Sequence, residues 1–130
     1  MIDAPDIVLT LPEPPSANRM KERSRSTGTH FRTSPYRAWL TEIAWLCAQQ
    51  RHGDSIPGAY AIRIVAGPTR KDLGNLEKPT QDGLKEAGVI RDDRHCQQII
   101  MERDPSREPA SILVELWSLP EPLPKRRSKR

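Results

Sequence analysis

Ala59-Tyr-Ala-Ile-Arg-Ile-Val-Ala66-Gly-Pro-Thr-Arg70-Lys71-Asp72-Leu-Gly74-Asn75-Leu-Glu-Lys78-Pro-Thr-Gln-Asp82-Gly-Leu-Lys-Glu-Ala-Gly88-Val-Ile-Arg-Asp92-Asp93 is the stretch that orders the rest of the chain. Its first part alternates Tyr60, Ile62 and Ile64 with Ala61, Arg63 and Val65, the two-residue period of a strand. The period then changes. Leu73, Leu76, Thr80, Leu84 and Ala87 recur at three and four residues, the apolar stripe of a helix packed on a sheet. Pro79 lies within that stripe, where it removes a backbone donor and disfavours helical geometry at Lys78. The helix therefore kinks or begins there, and residues 72 to 78 read as a loop and turn. A strand running through such a turn into a helix is an α/β unit, and ligand sites collect at that junction.

The polar side of the same stretch carries the chemistry. With Asp72 at the helix entry, Asn75, Lys78 and Asp82 fall near one helical face, and Asp92 and Asp93 follow in the next turn. Mg²⁺ takes oxygen ligands, commonly one or two carboxylates completed by water and substrate phosphate. Asp72 and Asp93 are the candidates for those carboxylates, and such a site suits phosphodiester hydrolysis. Arg70 and Lys71, just before Asp72, are placed to bind a phosphate backbone. Each residue also has a plainer use: Asp72 as a helix cap, Asp92-Asp93 as a solvated turn, Lys78 as a surface lysine. His95 is close enough to Asp93 to assist, or is incidental.

Working outward, Ile7 to Leu11 reads as a strand stopped by Pro12, Pro14 and Pro15. Residues 19 to 30 read as a mobile basic loop, with a short strand over Thr29 to Thr33. Ser34-Pro35 starts a helix, Ser at the cap, whose buried stripe is Tyr36, Leu40, Ile43 and Cys47, flanked by Trp39 and Leu46. Of Trp39 and Trp45, one belongs to the core and the other to an interface. Gln98 to Arg103 and Ser111 to Trp117 look like two antiparallel strands joined by the turn from Asp104 to Pro109, with Ile112, Val114 and Leu116 inward. The expected fold is α/β (α+β): a single small domain over residues 1–119, with a mixed sheet of four to five strands and two main helices. Residues 120–130, Pro-rich and basic, are expected to be a disordered tail.

Composition sets the limits. At 130 residues the chain suits one core. No apolar run reaches the length of a membrane span, and Met1 is not followed by a leader, so no membrane partner is expected. Cys47 and Cys96 stand far apart without metal-ligand spacing, which argues against zinc. Net charge is +4, but five of the positive charges lie in the last six residues, leaving −1 on residues 1–124. Within these, Arg19, Lys21, Arg23, Arg25, Arg32 and Arg37 oppose only Glu22 across residues 19–37. A basic arm beside an acidic pocket suits a protein that grips phosphate in one place and metal in another. A merely solubilising loop has the same composition. Only six aromatic residues are present, which opposes an RNA-binding stacking platform.

The run from Asp72 to Asp93 resembles the signature of the RusA family of Holliday junction resolvases: Asp-x-Asp-Asn, a Lys three residues after the Asn, a further Asp, then Gly and a terminal Asp-Asp. Leu11-Pro-Glu-Pro-Pro-Ser16-Ala-Asn18-Arg19 resembles that family's opening, in which a first strand enters a Pro-Pro-Ser-x-Asn segment. By position the resemblance makes Asp72 and Asp93 metal-binding acids, Lys78 the catalytic lysine, and Asp92 a neighbouring helper. Gly74 stands where the family has its second acid, so Asn75, Asp82, Asp92 or water must compensate. The resemblance implies a Mg²⁺-dependent, structure-selective endodeoxyribonuclease, with Mn²⁺ as a substitute, acting in recombination and repair. It further implies a four-way DNA junction as partner, a homodimer with two active sites, and a cytoplasmic, bacterial or phage-encoded protein. Arg19, Lys21, Arg23, Arg25, Arg32, Arg70 and Lys71 are its DNA-binding candidates. The alternative is a branched-DNA-binding homodimer that has lost turnover with the acid missing at Gly74.

Overall fold

The computed structural model describes residues 3–16, 20–23 and 27–120. Along the chain lie β1 (Ile7–Pro12), β2 (Lys21–Arg23), β3 (His30–Arg32), α1 (Ser34–Gln50), β4 (Tyr60–Ala66), α2 (Gly74–Glu86), a 3-10 turn (Asp93–His95), β5 (Cys96–Arg103) and β6 (Ser111–Ser118). β1, β6, β4 and β5, in that order, make a mixed four-stranded sheet. β6 pairs antiparallel with both β1 and β4, and β5 pairs parallel with β4. The expected α/β domain with two main helices is the fold observed.

The alternation read in residues 60–66 places Ile62 and Ile64 on the core face, where their register partners are Leu116 and Val114. All four are buried, as are Leu9 of β1, Ile43 of α1, and Leu76 and Leu84 of α2. Both helices thus cover one face of the sheet. On the other face Arg63 ties three strands together, reaching Glu102 of β5 at 2.7 Å and Glu115 of β6 at 2.6 Å. The helices meet at Gly83, where a Cβ would stand 2.5 Å from Trp39 Cζ3. Only glycine allows that approach.

Three expectations need correction. The strands ending the chain are not neighbours, because β4, buried on both faces, lies between them. Their connection crosses the end of β4, with Asp104 N–H donating to Ala66 O at 2.8 Å and Gly67 N–H to Ser111 O at 2.9 Å. A Cβ on Gly67 would collide with the Glu108 carbonyl, so the crossing depends on glycine. Second, part of the basic loop is a two-stranded ribbon, Lys21–Arg23 paired antiparallel with His30–Arg32. Third, Thr33 rather than Ser34 caps α1: its backbone is extended and its Oγ1 accepts the Tyr36 N–H at 3.4 Å. Trp39 belongs to the buried stripe with Tyr36, Ile43 and Cys47, whereas Leu40 is partly buried and Trp45 is 68% exposed. The expected tail from Glu121 onward lies outside the described residues.

Candidate metal and phosphate site

β4 delivers the chain into the loop 67–72, which is held from two sides. From β5, Arg103 donates through Nη1 to Gly67 O at 3.2 Å and through Nη2 to Lys71 O at 2.8 Å. From the end of β1, Glu13 Oε1 accepts from Thr69 Oγ1 at 2.8 Å and pairs with Lys71 Nζ at 2.8 Å. The Lys71 ammonium also reaches Pro14 O at 3.0 Å. Lys71, a DNA-contact candidate on sequence, is thereby engaged within the protein. Arg70 is exposed and makes no side-chain hydrogen bond or ion pair among the described residues.

Asp72 ends this loop. Its carbonyl accepts the Asn75 N–H at 3.0 Å and Leu73 O accepts the Leu76 N–H at 3.0 Å, a tight first turn that starts α2 at Gly74. The helix neither begins nor stops at Pro79 but continues to Glu86. Burial of Pro79 beside Leu76, Thr80 and Leu84 compensates for the one backbone bond its ring removes. Asp72 is exposed, and its side chain caps nothing and has no partner among the described residues. Asn75 is partly buried, its amide likewise unpartnered. Lys78, well exposed, pairs one turn on with Asp82 at 3.4 Å.

The second limb follows the Gly88 turn. Asp92 caps the 3-10 turn, accepting the Arg94 N–H at 3.2 Å, and lies 3.6 Å from Lys85 Nζ. The Arg94 N–H first, with the Lys85 and Arg94 cations beside it, holds Asp92 below its ordinary carboxylate range. Asp92 is thus already occupied as a cap, the plainer of its two uses. Asp93 and Glu77 both act on Tyr60 and Cys96. Burial pushes the Tyr60 phenol and the Cys96 thiol up, and the two carboxylates raise both further. Tyr60 hydroxyl donates to Gln81 Oε1, which fixes α2 against the start of β4. Glu77 was not singled out on sequence; a carboxylate on the flank of the apolar stripe, between Leu73 and Leu84, was the available signal. His95 Nε2 is buried without a hydrogen-bond partner among the described residues.

Asp72 follows the end of β4, whereas Asp93 precedes β5, whose first residue pairs with the start of β4. Among the described residues no three His, Cys, Asp or Glu side chains stand close enough to hold a metal together. The donor chemistry nonetheless suits a hard divalent ion, since Asp72, exposed, and Asn75, partly buried, offer carboxylate and amide oxygens with no hydrogen-bond partner among the described residues. Of the basic candidates, Lys21 is exposed, Arg23 donates to Gly28 O at 3.3 Å, and Arg32 pairs with Glu86 at 2.9 Å. Arg19 and Arg25 lie outside the described residues. No described helix is long and apolar enough to cross a membrane.

The family model for endodeoxyribonuclease RusA matches residues 12–116, from the end of β1 to the inward residues of β6. No curated protein matches the chain.

Proposed function

The chain belongs to the RusA endodeoxyribonuclease family, and from that premise we propose that it is a divalent-metal-dependent endonuclease that resolves four-way or other branched DNA in recombination and repair. The observation that carries this reading is the family match across both halves of the site, which includes Asp72, Asn75, Lys78 and Asp93. Residues 1–119 would be the nuclease unit and residues 120–130 a Pro-rich basic appendage.

Asp72 would hold Mg²⁺, or Mn²⁺ in its place, with Asn75 in support and water completing the shell, and Asp93 would join it from the second limb of the site, leaving Asp92 to its capping role. The ion, when bound, supplies charge neutralisation at the phosphoryl oxygens and acidifies water. The protein's own groups do the rest. Lys78, exposed and paired with Asp82 across one turn, is free to exchange that partner for the scissile phosphate or leaving oxygen. Exposed ion pairs of this kind are weak, so the exchange costs little. Arg70 and the basic ribbon around Lys21, Arg23 and Arg32, with Arg19 and Arg25, would bind the phosphate backbone, a salt-dependent and sequence-independent grip. Two-fold symmetric junctions call for two sites, hence a homodimer, working inside a bacterial or phage-infected cell.

One observation favours a second reading. Gly74 replaces the family's second acid, and no three-acid group forms among the described residues. Under that reading the chain binds branches without cutting them. Incubating a synthetic four-way junction with the protein and Mg²⁺ separates the two: paired symmetric nicks support the nuclease, and binding without nicks supports the alternative.

A further inference from the structure

Glu13 is an unusual residue for its position. Its side chain is only 4% exposed, at the end of a surface strand between two prolines. One carboxylate oxygen, Oε1, takes both Thr69 Oγ1 and Lys71 Nζ; the other, Oε2, is buried with no hydrogen-bond partner among the described residues. Removing a carboxylate from water is costly, and leaving half of it unsatisfied adds to that cost. An apolar pair of similar size would hold β1 to the loop at least as well. Stability therefore does not account for this residue.

Its contacts all converge on the residues just before Asp72. Thr69 Oγ1, while donating to Glu13, accepts the Lys71 N–H at 3.2 Å, and the Lys71 side chain returns to Glu13. Glu13 thus grips the backbone and the side chain of the residue adjoining Asp72, opposite the grip of Arg103 on Lys71 O. Glu13 is itself fixed, its N–H donating to Ala110 O at 2.9 Å. Asp72 has no side-chain partner and no capping role of its own, so only its backbone sets where its carboxylate points. The same residues, Glu13, Arg70 and Lys71, line an open cleft of about 610 Å³ with Ser16 and Trp39.

We propose that Glu13 is a positioning residue of the nuclease, a buried carboxylate that clamps the 69–71 loop through Thr69 and Lys71 and so fixes Asp72. This rests on the endonuclease reading above. It assigns Lys71 to the clamp rather than to direct contact with DNA.

The test compares full-length wild type, Glu13→Gln, Lys71→Met and the double variant Glu13→Leu/Lys71→Met, the last keeping the region folded by replacing the pair with apolar groups. The readouts are thermal midpoint, junction affinity, single-turnover cleavage with Mg²⁺, and hydrogen exchange at the amides of Lys71 to Asn75. Groups that orient a metal ligand are worth about tenfold to a hundredfold in activity when lost. Glu13→Gln should lose cleavage by that factor with junction affinity unchanged. The double variant should melt no lower than wild type, yet cleave no better than the worse single variant, because the two residues act as one unit. Exchange at Lys71 to Asn75 should quicken in both. Wild-type cleavage by the double variant, or unchanged exchange in Glu13→Gln, overturns the clamp. If wild type cuts no junction the nuclease reading fails by itself, and the exchange arm still decides whether Glu13 holds this loop.

Discussion

In the proposed nuclease Asp72 and Lys78 have different roles, and single substitutions should separate them. Asp72→Asn removes metal affinity and a negative charge near phosphate, so cleavage should fall to background while junction binding stays equal or tightens; gel shift and cleavage on the same samples check this. Lys78→Ala removes charge stabilisation of the reacting phosphate and should slow single-turnover cleavage by about a hundredfold at saturating Mg²⁺, without raising the Mg²⁺ requirement. A Cβ at Gly74 has no neighbour within 4 Å, so Gly74→Asp fits sterically. It should lower the Mg²⁺ concentration needed for half-maximal rate, and an unchanged requirement would mean that Glu77 or another group already fills that role. Asp72, Asp93 and Lys78 stood out in sequence as candidates because acids and a lysine at that spacing suit metal and phosphate chemistry, and the family resemblance supplied the role proposed for each. The engagement of Lys71 was not legible there, because its partner Glu13 is distant in the chain and only the folded sheet brings them together.

The strands and helices that hold these residues were read largely from periodicity, and the misreadings have local causes. Thr33 outcompeted Ser34 as the α1 cap because its backbone stays extended beside the buried Tyr36. Pro79 is tolerated inside α2 because its ring is buried, a tertiary gain that propensity cannot see. β5 and β6 looked like a hairpin because turn residues announce a reversal of direction, not which strand comes between. Against this framework the α1–α2 contact is tightly specified. Gly83→Ala would put a methyl group against Trp39 and Ile43, and should cost about 1–3 kcal/mol in urea unfolding. No loss of stability there would mean the helices do not meet as described.

The fold puts an exposed Asp72 at the end of the loop that follows β4 and Asp93 just before β5, the parallel neighbour of β4. Two such sites are needed to cut a symmetric junction, so sedimentation should give a species of twice 14.8 kDa. A monomer at the concentration where junctions are cut would contradict paired cleavage. The surface that a second copy would use was not legible in sequence, since such a face carries no period or motif of its own. The decisive measurement is cleavage of a synthetic four-way DNA junction by the full chain with Mg²⁺, with Mn²⁺ and with chelator, beside Asp72→Asn. Paired symmetric nicks that require both the metal and Asp72 are the predicted result; tight junction binding with no nick under either metal would contradict it and leave a protein that binds branches without cutting them.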